Sequence, residues 1–109
     1  MNLADYQRLA ALTARQDGSV SQRRLVAALG LNGEAGELGE LIKKEIGHGH
    51  AIPREAIAKE LGDTLWYVAA VATLYDLDLA QIAEANIEKL RQRYPDGFSR
   101  ADSIARRDV

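Results

Sequence analysis

Leu31-Asn32-Gly33-Glu34-Ala35-Gly36-Glu37-Leu38-Gly39-Glu40-Leu41 sets two acids, three residues apart, among leucines at helical spacing. With about 100° of rotation per residue and Glu34 as origin, Leu41 falls at about −20°, Leu38 at about +40° and Glu37 at about −60°. The stretch Ile57-Ala58-Lys59-Glu60-Leu61-Gly62-Asp63-Thr64-Leu65-Trp66-Tyr67 repeats the arrangement. From Glu60, Tyr67 lies at about −20° and Asp63 at about −60° on the same wheel. Both acid pairs therefore sit on stripes that should face a core. A buried carboxylate persists only if it is protonated, paired or bound to a metal. Glu34, Glu37, Glu60 and Asp63, with no matching block of buried arginines, point to a divalent cation site.

Outward from these stretches the chain reads as an all-α, antiparallel bundle of about four helices. Leu3, Tyr6, Leu9 and Leu12 form a first apolar stripe, with Asn2 as N-cap and Asp5 in the first turn. Asp17-Gly18 closes that helix, and Ser19 or Ser21 caps the next. The second helix runs from about Ser21 to Ile46 and breaks at Gly47-His48-Gly49-His50. Pro53 suits the first turn of a third helix that ends near Tyr75. Asp78 with Gln81 resembles a capping box for a fourth, from Leu79 to Arg93. Tyr94-Pro95-Asp96-Gly97 is a stop signal, and residues 95–109 read as a polar tail. No β-type alternation, internal repeat or linker is visible, so residues 1–109 form one domain.

Composition excludes several classes. The 109 residues carry a formal net charge of −2 with interleaved signs, which argues against electrostatic binding of nucleic acid. The absence of cysteine removes disulfides and thiolate zinc sites. No apolar run approaches the roughly 18 residues of a membrane span, and the first residues lack a signal-peptide pattern. A soluble, cytoplasmic protein is expected.

The second helix has Gly30, Gly33, Gly36 and Gly39 at every third position. Each costs about 1 kcal/mol relative to alanine in an exposed helix interior, so another backbone or a ligand should approach closely. On the fourth helix, Asn86, Lys89 and Arg93 fall on one face with Leu79 and Ile82. They either snorkel to solvent or, beside four inward acids, grip phosphate oxygens. Oxygen ligands suit a hard cation such as Mg²⁺, which bridges to substrate phosphates. Among the carboxylates Glu37, then Glu34, is the candidate base, and Lys89 would neutralise charge on the phosphates.

Glu34-Ala35-Gly36-Glu37 followed by Glu60-Leu61-Gly62-Asp63 resembles the ExxE and ExxD signature of the MazG-like all-α nucleotide pyrophosphohydrolases. The similarity extends to Asp5-Tyr6-Gln7, to Trp66-Tyr67, and to Asn86 and Lys89 before Arg93-Tyr94-Pro95. The resemblance implies hydrolysis of nucleoside triphosphates to monophosphates and pyrophosphate with Mg²⁺ or Mn²⁺, in a homodimer or tetramer. It implies Glu34, Glu37, Glu60 and Asp63 as metal ligands, and Asn86, Lys89 and Arg93 at the phosphates or sugar. Tyr67 would line the site and Trp66 could stack on the base. By the wheel alone Trp66 points away from the acids and packs on another helix or subunit.

Other charges read more simply. Glu40 is a solvated charge, Glu45 is an outside candidate for an extra ligand or a partner for Lys43 or Lys44, and Arg106 and Arg107 are solvated tail residues. His48 and His50 flank a glycine where they cap the helix end or touch substrate. Leu65, Val68 and Trp66 leave apolar surface that one chain cannot cover, which calls for an oligomer. Two alternatives stay open: a phosphoribosyl-ATP pyrophosphohydrolase, and a non-catalytic helical module stabilised by metal.

Overall fold

The computed structural model describes residues 1–109 and holds five helices: α1 (Leu3–Ala11), α2 (Val20–His48), α3 (Arg54–Leu74), α4 (Leu79–Arg93) and α5 (Arg100–Ala105). Their ends follow local chemistry. Asn2 Oδ1 accepts from the Asp5 amide at 2.8 Å and opens α1. Ser19 and Gln22 form a reciprocal capping box at the start of α2 (2.9 and 3.1 Å). At the other end of α2, Gly49 takes φ 71° and the His50 amide donates to the Lys44 carbonyl at 3.0 Å. Asp78 caps α4, accepting from the Ala80 amide at 2.9 Å.

The boundaries differ from the sequence reading in three places. α1 stops at Ala11, so Gly18 (φ 82°) belongs to the loop before α2 and not to the end of α1. Pro53 stands at the cap of α3 in an extended conformation, one residue before the helix. The expected polar tail contains α5, capped by Ser99 Oγ accepting from the Asp102 amide at 3.0 Å.

α2 and α3 fold back on each other and form the most extensive helix pair; α1 lies on α3, while α4 has α1 and α5 as its main neighbours. A single side chain ties α1 to the α3–α4 turn. Gln7 Nε2 donates to Thr73 Oγ1 (3.1 Å) and Leu77 O (2.8 Å), and its Oε1 accepts from the Leu79 amide (2.9 Å). Trp66 Nε1 donates to Thr13 Oγ1 at 2.8 Å, which locks α3 to the end of α1. The Arg24 guanidinium donates twice to Leu74 O (3.1 and 2.9 Å) and stacks 4.2 Å from the Tyr75 ring centre.

One chain does not close the expected four-helix bundle. Only Ala10, Ala27, Ala69, Ala72 and Leu79 are buried. The radius of gyration is 17.0 Å, where a compact chain of this length has about 13 Å. Leu25, Val26, Leu29 and Leu61 each remain more than half exposed. The cause is where α4 lies: it caps the α1 side, and the apolar flanks of the α2–α3 hairpin stay uncovered. No helix is long and apolar enough to cross a membrane.

Candidate metal centre

The α2–α3 hairpin brings its acids together near its middle. Glu34, Glu37 and Glu60 each offer an oxygen within 4.8 Å of the others. Glu34 and Glu60 are half-buried and Glu37 is exposed. One oxygen of Glu34 and one of Glu60 are shut off from solvent with no hydrogen-bond partner. Uncompensated carboxylate oxygens in such a position are costly. Burial first, then the facing Glu60 and the charges of Glu37 and Asp63, push the Glu34 carboxyl up to about 7. No cation contributes to that shift.

Asp63 stands beside this trio and is not part of it. Its charge reaches Glu34 and also Tyr6 of α1, whose phenol is pushed up by burial and then by Asp63. The donor set is all oxygen and anionic, with two buried, unpartnered atoms, which fits a hard divalent cation.

Tyr67 fixes the register of the hairpin at this level. A Cβ on Gly30 would lie 2.2 Å from Tyr67 Cε1 and 2.4 Å from Cζ, so the ring occupies the space a side chain would need. At Gly30 the close approach is made by a side chain of α3, where the spacing called for a backbone or a ligand. Gly33, Gly36 and Gly39 have no atom of this chain within 4 Å of such a Cβ. Beyond Tyr67 a cavity of about 600 Å³ opens between the end of α1, the start of α2 and the last turns of α3. None of the four acids lines it; Tyr67 and Trp66 do.

The α4 residues are placed differently from the sequence reading. Asn86 and Lys89 are exposed on a helix whose neighbours are α1 and α5, and this chain does not carry them to the acids. Arg93 is held by the tail, donating through Nε and Nη2 to both oxygens of Asp108 at 2.7 Å. Asp108 is 1% exposed and Arg93 17%. Arg107 pairs with Asp102 and Arg106 with Asp108, so neither is the freely solvated charge expected of a tail. Two packing events explain this: α4 lies on α1, which keeps Asn86 and Lys89 from the acids, and α5 folds onto α4 and consumes its terminal arginine. Trp66 packs on α1, as its helical angle indicated, with its ring edge-on to Tyr67 at 5.0 Å. His48 and His50 are exposed with ring centres 6.1 Å apart.

Arg23 escaped the sequence reading. Its Nε is shut off from solvent without a partner, and it lines the cavity. The available signal was the spacing Arg23, Ala27, Gly30, Glu34, four positions within about 60° of one another on α2.

Residues 22–98 match the MazG nucleotide pyrophosphohydrolase domain. The Gene 37 protein of Mycobacterium phage L5 is 36% identical over 69 residues, covering 60% of this chain and 60% of that protein. dCTP pyrophosphatase 1 of Mus musculus is 34% identical over 114 aligned positions, 98% of this chain and 67% of that protein. The same protein from Bos taurus is likewise 34% identical, with 68% of its length covered. The chain thus spans about three-fifths to two-thirds of the length of these curated relatives. No solved structure matches.

Proposed function

This chain belongs to the MazG family of nucleotide pyrophosphohydrolases, hydrolases of phosphoanhydride bonds, and on that premise we propose that it converts a nucleoside triphosphate and water to the monophosphate and pyrophosphate with Mg²⁺ or Mn²⁺. The observation that supports this reading is the convergence of Glu34, Glu37 and Glu60 with two unpartnered buried oxygens and no cation among them. These three, with Asp63, hold the metal. A bound divalent cation supplies positive charge beside the phosphoryl oxygens and makes an attacking water more acidic.

The chain's own groups do the rest. Water adds across the α–β phosphoanhydride bond; its proton goes to a carboxylate, and pyrophosphate leaves. Glu37, the exposed member of the trio, is the group best placed to meet water from solvent and take that proton. Glu34, the half-buried neighbour of Glu37 on α2, is the second candidate for that role. Tyr67 stands between the acids and the neighbouring cavity, where it can orient a substrate that reaches both.

Asn86 and Lys89 remain candidate phosphate contacts, supplied across a homo-oligomer. One chain leaves Leu25, Leu29 and Leu61 uncovered, and lays α4 on α1 away from the acids. A dimer or tetramer that covers the hairpin is the arrangement that puts a cation beside them. A cytoplasmic location fits a substrate of this class.

The test is a panel of ribo- and deoxynucleoside triphosphates, phosphoribosyl-ATP included, with Mg²⁺ or with chelator, scored by product. Monophosphate and pyrophosphate, lost on chelation and in Glu60→Gln, are expected. Diphosphate plus inorganic phosphate, or full turnover in chelator, overturns the reading. Light scattering should give a multiple of 11.9 kDa.

A further inference from the structure

Three arginines stand around the 600 Å³ cavity between α1, α2 and α3, and they are not equally occupied. Arg15 is spent on Asp17, with Nε and Nη2 donating at 3.0 and 2.6 Å. Arg24 is spent on the Leu74 carbonyl and the Tyr75 ring. Arg23 has only a long contact, Nη1 to Gln16 Oε1 at 3.4 Å, and its Nε–H is buried without an acceptor. A guanidinium never gives up its charge to avoid this cost, so an idle buried donor leaves the pocket short of an acceptor. About half of the lining is apolar or aromatic, Ala10, Leu74, Trp66 and Tyr67 among it, with Thr73 and Asp76 as further polar groups. That is the make-up of a small-molecule pocket, and the volume falls in the usual range of about 300–1,000 Å³.

Its position relates it to the acids. Arg23 and Glu34 share a face of α2, separated by eleven residues, or about 16 Å of helix rise. The Tyr67 ring lies against Gly30 between them, so a nucleotide with its phosphates at the acids would have to pass Tyr67 to place its base in the cavity.

We propose that the cavity takes the nucleobase and that Arg23 is its specificity-determining residue, its Nε–H and Nη–H fork reading two adjacent acceptors on the base. This rests on the nucleotide reading above. The fork matches the O6 and N7 of guanine, or the N3 and O2 of cytosine. Adenine and thymine or uracil present no neighbouring acceptor pair on an open edge. Gln16, in contact with the same guanidinium, positions the fork.

Binding of deoxynucleoside monophosphates tests the idea apart from catalysis. Wild type, Arg23→Met and Arg23→Lys are titrated calorimetrically with dCMP, dGMP, dAMP and dTMP; the four triphosphates are then assayed for turnover. Wild type should bind one or both acceptor-pair bases about tenfold or more tighter than the others, the scale of a bidentate base contact. Preference for dCMP or for dGMP says which base supplies the acceptors. Both variants should lose that preference and leave the weak bases within about twofold, because lysine keeps the charge but not the fork. Arg23→Lys also serves if the methionine variant fails to fold. Equal binding of all four bases by wild type, a uniform fall in the variants, or a change in oligomeric state with preference intact overturns the assignment. The outcomes separate the two readings: base preference without turnover sinks the enzyme and spares Arg23, whereas turnover without base preference does the reverse.

Discussion

Gly30→Ala is the sharpest test of the geometry that aligns the hairpin. The added methyl would sit 2.2 Å from Tyr67 Cε1, 2.4 Å from Cζ and 2.7 Å from Cδ1. Ordinary contact begins at 3.4 Å, so ring and helix must part by 3.4 − 2.2, about 1.2 Å. The ring is rigid, so it either turns toward the adjoining cavity or pushes the helices apart. Overpacking of this kind costs about 1–3 kcal/mol. Alanine returns up to about 1 kcal/mol through helix propensity, which leaves a net loss of up to about 2 kcal/mol. For a domain of this size that lowers the melting temperature by up to about 15 °C. Thermal unfolding followed by circular dichroism, at one fixed protein concentration, measures it. Gly33→Ala is the internal control, since nothing lies within 4 Å of its Cβ; it should gain about 0.5–1 kcal/mol. In a double-mutant cycle with Tyr67→Ala, most of the Gly30→Ala penalty should vanish. If Gly30→Ala melts at or above wild type, or moves in step with Gly33→Ala, Tyr67 does not set the spacing of the acids.

Two further outcomes follow from the charges. Glu34 binds its proton more tightly when folded (about 7) than its ordinary value of 4.5. Proton uptake on folding means metal-free stability falls as pH rises from about 4.5 through 7, and added Mg²⁺ should reverse the trend by occupying the carboxylates. A melting temperature that climbs across this window without metal would contradict the crowding of acids. Asp108, held by Arg93 at about 2 against an ordinary 3.8, works in the opposite sense. Its contribution is complete above about 3.8 and is lost as pH falls through about 2. Asp108→Asn should therefore loosen α5 at neutral pH, read as faster hydrogen exchange of residues 100–105, with α2 and α3 unaffected.

Much of the architecture was legible because helix signals are local. Asn2, Ser19, Asp78 and Gly49 mark ends through hydrogen bonds within a few residues of themselves. α4 accordingly runs over the expected Leu79–Arg93. α5 was hidden because its short polar helix has no apolar stripe; what orders it is the ion pair of Arg93 with Asp108, fifteen residues away. The glycines show the same limit. Four were equivalent by spacing, and only the approach of Tyr67 from α3 separated Gly30 from Gly33, Gly36 and Gly39.

The acid stripes were already written into two helical periods, because rotation per residue is a property of the backbone and needs no neighbour. Which acids meet, which oxygens lose water, and which cations reach them depend on how whole helices lie. Packing joined Glu34, Glu37 and Glu60 within 4.8 Å. Packing also left Asn86 and Lys89 exposed on α4 and Arg93 clasped by Asp108. It placed the unspent donor of Arg23 in a cavity that no stretch of sequence announces, since a missing partner is a fact about three dimensions.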